Sequence, residues 1–279
     1  MVDRAAFHVR FWGVRGTVPC PGPGTLRYGG NTSCLEVRCG GDLLIFDAGT
    51  GVRLLGNELV RSRERVSSHV FLTHTHMDHV HGLPFFRPAY CPSNCLQLWN
   101  GHLRRQKRNL QDVLCTMIQE PYFPVPLDIM HACIGFHDFD AGDTLNPLPG
   151  VQLKTAPLDH PGGATGYRIE FDGRSVCYVT DTEHHDGRLD PAILDLIAGS
   201  GIVIYDATYT DEELPRFQGW GHSTWQQGVR LCRAAGAKRL VAFHHDPDRD
   251  DEALDRIGAS LSEALPGSLV AREGMRLEP

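Results

Sequence analysis

No stretch of this 279-residue chain stays apolar for the length that a bilayer crossing needs, and Met1 to Ala6 lack the apolar core of a secretory leader. Positive charge is also short. Lys and Arg total 27 against 34 Asp and Glu, and a net charge near −7 gives no general attraction to nucleic acid. The nine cysteines are odd in number and scattered, which argues against a disulfide framework and for a reducing, cytoplasmic compartment. Cys91 and Cys95 form one pair with no second pair or adjacent histidine, and we read them as reduced and structural. No repeat, low-complexity tract or linker interrupts the chain, so residues 1–279 are expected to form a single domain. No membrane partner is expected, and a homodimer is compatible with this composition.

What the chain has in plenty is histidine, fifteen in all, several of them at the ends of strand-like runs. The densest group follows the apolar run Val70 to Leu72. His74, His76, Asp78 and His79 then offer three imidazoles and a carboxylate within six residues. These ligands suit Zn²⁺ or a comparable first-row dication. Strand alternation points His74 and His76 to one side, and a turn carries Asp78 and His79 to a second point. Four ligands so close exceed what one catalytic ion takes, so the spacing suggests two metals.

Other strand-like runs end the same way: Asp159-His160, Asp181 after Val179-Thr180, and His244-His245-Asp246 after Arg239 to Phe243. One arrangement accounts for all of them. His74, His76 and His160 hold one ion, Asp78, His79 and His244 hold the other, and Asp181 bridges. His245 competes with His244 for the last place. Asp47 ends the apolar run Asp42 to Phe46, either as a turn residue or as a carboxylate that orients a metal ligand.

Between these points the pattern predicts strands over 7–12, 33–39, 42–47, 96–99, 134–137, 151–157, 166–171, 175–180, 202–206 and 239–244. Gly13 to Asn31, with six glycines and three prolines, is expected to be loop. Helices are expected over 103–119, over 223–235 with Ser223 and Gln226 as a capping box and Gly236 as its stop, and over 251–265. The first of these carries Arg104, Arg105, Lys107 and Arg108, a compact basic patch that is either a solvated helix face or a phosphate contact.

The set His74, His76, Asp78, His79, His160, Asp181 and His244 resembles the metallo-β-lactamase superfamily. Three further features are similar to its ribonuclease Z-like phosphodiesterase branch: Gly13 to Pro19 followed by Asn31 to Ser33, Asp206-Ala207-Thr208, and Gly221 to Thr224 followed by Gln226 and Gln227. The resemblance spans residues 11 to 246. It implies an α/β fold, a four-layer αββα sandwich with two divalent ions at one edge of its paired sheets. An all-His/Asp ligand set suits Zn²⁺ and also admits Mn²⁺ or Fe²⁺. The implied activity is hydrolysis of a phosphodiester by a metal-bridging hydroxide, with Asp78, His222 and Asp206 as catalytic residues. Two cations offset charge on the phosphate, and a histidine beside a carboxylate suits protonation of the leaving alkoxide. Without the resemblance, His222 would read simply as the residue before a helix cap. Arg15 and Arg27, in the glycine-rich loop, are candidates to touch the substrate.

The chain also departs from that branch. Its tRNA-processing members carry a long arm between the ligands that match His160 and Asp181, where this chain has only a hairpin. Asp206 stands where they have glutamate. The missing arm and the acidic balance favour a small or cyclic nucleotide-like phosphodiester over RNA. A ribonuclease Z-like endonuclease gripping RNA through residues 104–108 is the alternative. A non-catalytic metal-bound sensor is a second one, and it does not account for a complete ligand set together with His222 and Asp206.

Overall fold

Phe7, Val9 and Phe11 alternate with His8 and Arg10 along β1 (Phe7–Gly13), and the computed structural model of the chain buries the first set. A period of two places one face of a strand in a core. The structure describes residues 6–62, 64–185 and 188–279. Met1 to Ala5, on which the leader reading rests, lie outside the described residues.

β1 pairs antiparallel with β2 (Cys34–Cys39), which turns at Gly40 into β3 (Asp42–Phe46). The sheet then grows by parallel pairing through β4 (Ser67–Leu72), β5 (Cys95–Asn100) and β6 (Cys133–Asp138). A second sheet opens with the antiparallel strands β7 (Thr144–Leu148), β8 (Val151–Leu158), β9 (Ala164–Phe171) and β10 (Arg174–Val179). It continues in parallel through β11 (Ile202–Asp206), β12 (Leu240–Phe243) and β13 (Leu269–Val270). The chain ends on β14 (Arg276–Leu277), which returns to the first sheet beside β1. Among the described residues each sheet thus has seven strands, joined by three antiparallel and three parallel pairings.

Three apolar cores stack these layers. Between the sheets, Phe7, Val9, Phe11, Phe46 and Phe71 meet Tyr167, Ile169, Tyr178, Ile204 and Phe243. Outside the first sheet, α1 (Val52–Arg61) and α3 (Leu110–Met117) pack Val52, Leu55, Leu110 and Leu114 on Ile45, Val70 and Leu98, with the short α2 (Met77–Val80) between the two helices in sequence. Outside the second, α4 (Pro191–Ile197), α5 (Trp225–Ala235) and α6 (Asp251–Ala264) pack Ile193, Leu231 and Leu254 on Val179, Val203 and Tyr205. Helix, sheet, sheet, helix is the four-layer αββα sandwich. Among the described residues no helix is long and apolar enough to cross a membrane.

Two helix expectations change. Over 103–119, Arg104–Gln106 form a 3₁₀ turn, Lys107 stops it at φ +56°, and α3 starts only at Leu110. Asn109 interrupts the apparent run because its side chain accepts the Asp112 N–H at 2.8 Å and caps α3. The basic patch therefore sits on a turn. At α5 the cap is Thr224, which accepts the Gln227 N–H at 3.0 Å, while the Ser223 hydroxyl lies 2.8 Å from that of Tyr205.

Parallel neighbours run the same way, so the carboxyl ends of β3 and β4 share one edge of the first sheet, as those of β10, β11 and β12 do in the second. Asp47, Asp181 and His244, just past three of these ends, take left-handed φ of +60°, +60° and +59°. Few residues other than glycine adopt this conformation, and Asp and His are among those that tolerate it best.

Candidate metal centre

Thr73, the first residue past β4, donates its N–H to Asp47 Oδ1 at 2.8 Å and its hydroxyl at 3.0 Å. Asp47 Oδ2 accepts the Tyr178 O–H at 2.8 Å and lies 2.8 Å from His79 Nδ1. In a neutral His79 ring that contact would put the proton on Nδ1 and turn the Nε2 lone pair inward, while against burial Asp78, Asp181 and Asp47 raise the ring's pKa well above its ordinary value. Asp47 is thus a fully engaged buried carboxylate and more than a turn residue.

His79 Nε2 faces Asp78 Oδ2 at 3.1 Å and Asp181 Oδ2 at 3.3 Å. His244 Nε2 faces the same two oxygens at 3.2 Å and 3.4 Å. The other oxygen of Asp181, Oδ1, lies 3.9 Å from His74 Nε2 and 3.7 Å from His160 Nε2. His76 completes that side, with Nδ1 3.0 Å from His160 Nε2. The structure therefore brings all seven sequence-derived candidates together: His74, His76 and His160 form one group, Asp78, His79, Asp181 and His244 a second, and Asp181 Oδ1 faces the first. The outward nitrogens are held by the fold: His74 by the Thr73 hydroxyl at 3.1 Å, His244 by that of Thr208 at 3.1 Å, and His160 by the Gly221 carbonyl at 2.8 Å.

Without cations this arrangement is poorly satisfied. Among the described residues the buried Nε2 of His74 has no hydrogen-bond partner, and that of His79 meets two carboxylate oxygens without hydrogen-bond geometry; a buried orphan nitrogen costs about 1–3 kcal/mol. In each group the donor atoms lie within 4.8 Å of one another. Two sets of imidazole and carboxylate donors with this spacing fit two divalent first-row cations. Despite burial, the surrounding imidazoles hold Asp181 and Asp78 well below the usual carboxylate range. Burial holds His74 far below its ordinary value, in the neutral form a ligand needs.

His222 adjoins the second group. Its Nδ1 lies 2.9 Å from Asp206 Oδ2, which also accepts the Asp181 N–H at 3.0 Å. Burial disfavours the charged ring, but Asp206 outweighs it and raises His222 to about 9. The other Asp206 oxygen accepts the Thr208 N–H and hydroxyl.

His245 does not join the cluster. Past the left-handed turn at His244, its Nε2 lies 2.8 Å from the Ala271 carbonyl, and burial lowers it to about 3. Arg15 and Arg27 are both engaged within the protein. Arg15 is fully buried and donates to the carbonyls of Gly29, Asp246 and Arg249, tying loops together. Arg27 pairs with Asp255 at 2.6 Å on α6. The glycine-rich loop serves the site by backbone instead. Thr17 donates its N–H to Asp78 Oδ2 at 2.8 Å, and a Cβ on Gly16 would fall 2.3 Å from His244 Cε1.

Sequence reasoning did not single out Tyr178, Thr73 as an orienting residue, or Glu183. Glu183 is buried, and its carboxylate accepts the Gly219 and Gly221 N–H groups at 2.9 Å. It thereby holds the turn whose Gly221 carbonyl fixes His160 and whose next residue is His222. Only its place two residues after Asp181 hinted at this.

The model of the β-lactamase superfamily domain matches residues 43–245, from β3 to just past His244. The chain belongs to the β-lactamase superfamily. As a superfamily member with this centre it is a metal-dependent hydrolase. Ribonuclease Z of Haloarcula marismortui is 23% identical to it over 96% of this chain and 95% of its own. Among solved structures, the metallo-β-lactamase fold protein YhfI from Bacillus subtilis superposes with TM-score 0.72 at 16% identity, covering 98% of this chain and 99% of its own. A diphosphatase from the PhnP family superposes with TM-score 0.68 at 18% identity, covering 97% and 96%. At these identities the two structures establish the shared fold.

Proposed function

We propose that this hydrolase is a phosphodiesterase acting on a small or cyclic nucleotide-like phosphodiester, with His222 and Asp206 as its proton-donor pair. The observation that carries this reading is the 2.9 Å His222–Asp206 contact beside a two-group ligand set. In this reading His74, His76 and His160 hold one ion, Asp78, His79 and His244 the other, and Asp181 both; Zn²⁺ is the proposed ion, with Mn²⁺ and Fe²⁺ compatible. Bound there, two cations would supply Lewis acidity toward phosphate oxygens and make water acidic enough to attack at neutral pH.

The remaining chemistry belongs to the protein. Asp206 accepts the hydrogen bond from His222 Nδ1–H and stabilises the doubly protonated ring, leaving Nε2–H to give its proton to the departing alkoxide. The direct hairpin β9–β10 between His160 and Asp181, and the net charge of −7, support a small substrate. Nine free cysteines support a reducing, cytoplasmic setting.

The similarity to ribonuclease Z over nearly the whole chain keeps an RNA endonuclease as the second reading. A panel of 2′,3′-cyclic, 3′,5′-cyclic, linear dinucleotide and pre-tRNA substrates on metal-replete protein tests both. Cleavage of the small diesters is expected. His222→Ala should keep two metals and lose about 10²–10⁴-fold in rate on an alkoxide leaving group, and far less on p-nitrophenolate. Metal-replete wild type inert on every diester would sink the proposal.

A further inference from the structure

A cavity of about 340 Å³ opens beside α2, the helix that carries Asp78 and His79, and takes no part in the proposed hydrolysis. Its near wall is Met77, the residue between His76 and Asp78, which is 64% exposed. Val113 and Met117 of α3, with Tyr122 and Phe123, complete an apolar lining, and His81 and Arg108 give it a polar edge. Tyr122 is 78% exposed, so a large aromatic face stands in water at the rim. Met and aromatic side chains grouped in this way suit a flat, apolar ligand.

The basic turn supplies an independent observation. Arg104 pairs with Asp140 at 3.4 Å, but among the described residues Arg105, Lys107 and Arg108 are exposed and form no ion pair. Their backbone is fixed by the left-handed Lys107, by the cap at Asn109, and by Gln106, whose Nε2 donates to the Gly162 carbonyl at 2.5 Å. Gly162 lies two residues past His160, and a Cβ built on it would stand 4.0 Å from both Gln106 Nε2 and His76 Nε2. Gln106 thus ties the turn to the loop that follows His160, and among the described residues three cations on this turn form no ion pair in a chain that is acidic overall.

We propose that the cavity and this turn form a subsite for the organic part of the substrate, with an aromatic base in the cavity and a further phosphate on Arg108 and its neighbours. The proposal rests on the phosphodiesterase reading and narrows its substrate to a nucleotide diester that carries a second phosphate. Guanidinium and ammonium groups bind phosphate by charge-assisted hydrogen bonds, and the apolar wall rewards burial of a base.

Calorimetric titration with adenosine 3′,5′-bisphosphate tests it, because that probe has the base and two phosphates but no diester to cleave. Metal-replete wild type should bind it saturably. Thr116→Trp, which fills the cavity from an exposed position of α3, and Arg108→Glu should each weaken binding about tenfold or more. Arg105→Glu with Lys107→Glu, on an exposed turn that carries no core residue, should weaken it too, and circular dichroism checks that each variant is folded. Ribose 5-phosphate, which lacks the base, should bind wild type and Thr116→Trp alike. No binding to wild type, or equal affinity in all folded proteins, overturns the subsite. So does a change from dimer to monomer with affinity unchanged, which would give this face to a second copy of the chain. Weakened binding of a long RNA with no effect on the bisphosphate also overturns it. Hydrolysis of the diester panel, run in parallel, separates the two claims. An active wild type whose nucleotide binding ignores the variants sinks only the subsite, while a wild type inactive on every diester sinks the parent reading.

Discussion

Asp47 shows how much of this centre depends on residues that would touch no metal. Its two oxygens accept from Thr73 twice and from Tyr178, and hold His79 by Nδ1. Asp47→Ala would leave several buried donors without an acceptor and free the His79 ring to rotate. We expect about 3 kcal/mol lost in stability and about 10- to 100-fold weaker metal retention, read by denaturant melts and by metal content after dialysis. Gly16 is constrained in the opposite sense, by absence of a side chain. A Cβ there would collide with the His244 ring at 2.3 Å. Gly16→Ala is therefore expected to displace His244 and lower metal content while leaving both sheets folded, so wild-type metal content in that variant would show that the loop gives way freely.

Among the elements, the loop 219–221 is the most instructive. It has no regular structure, yet Glu183 pins it to the strand end that carries Asp181. Gly221 sits at φ +80°, and a Cβ there would fall 2.2 Å from His160 Nδ1. Glu183→Ala should lower kcat about 10- to 100-fold with KM little changed, as His160 and His222 lose their register. Glu183→Gln, which keeps one acceptor oxygen, should recover part of that loss. If both variants lose only thermal stability, with kcat per folded molecule intact, Glu183 does not act through these histidines. The elements hard to read in sequence share simple features. β7 is an edge strand interrupted by Pro147 and a register shift, and edges are where proline is tolerated. β13 and β14 have two residues each, too few for alternation to register. α4 announces itself only by Asp190 capping before Pro191, a start signal with a seven-residue helix behind it.

At the scale of the molecule, the centre joins the two sheets. The loop after β4 in the first sheet supplies His74, His76, Asp78 and His79, and the second sheet supplies His160, Asp181 and His244. Bound cations would cross-link the layers at their shared edge, where among the described residues neither His74 Nε2 nor His79 Nε2 makes a hydrogen bond. Anything that binds the folded state alone stabilises it, by about 3 kcal/mol at a hundredfold excess over Kd. Chelation is therefore expected to lower the Tm by several degrees and to do so reversibly on readdition of metal. An unchanged melting curve after verified metal removal would mean that the sandwich core carries the stability alone.

The sequence by itself determined most of the strands, the helices after residue 220 to within two residues, and the candidate ligands. Alternation, capping and the choice of His or Asp at a strand end are local properties, legible over a few residues. What only the tertiary structure decided depends on contacts between residues far apart. His244 faces the cluster and His245 turns away because one left-handed residue ends β12. Asp47 meets His79 because β3 and β4 run parallel side by side. Arg15 is a loop tie and Glu183 a clamp because of backbone groups that no pattern in their own segments reveals. The basic turn lies against the centre because Gln106 reaches Gly162, 56 residues on. Which strand ends share an edge is set by pairing order, and that order follows from how three cores pack at once.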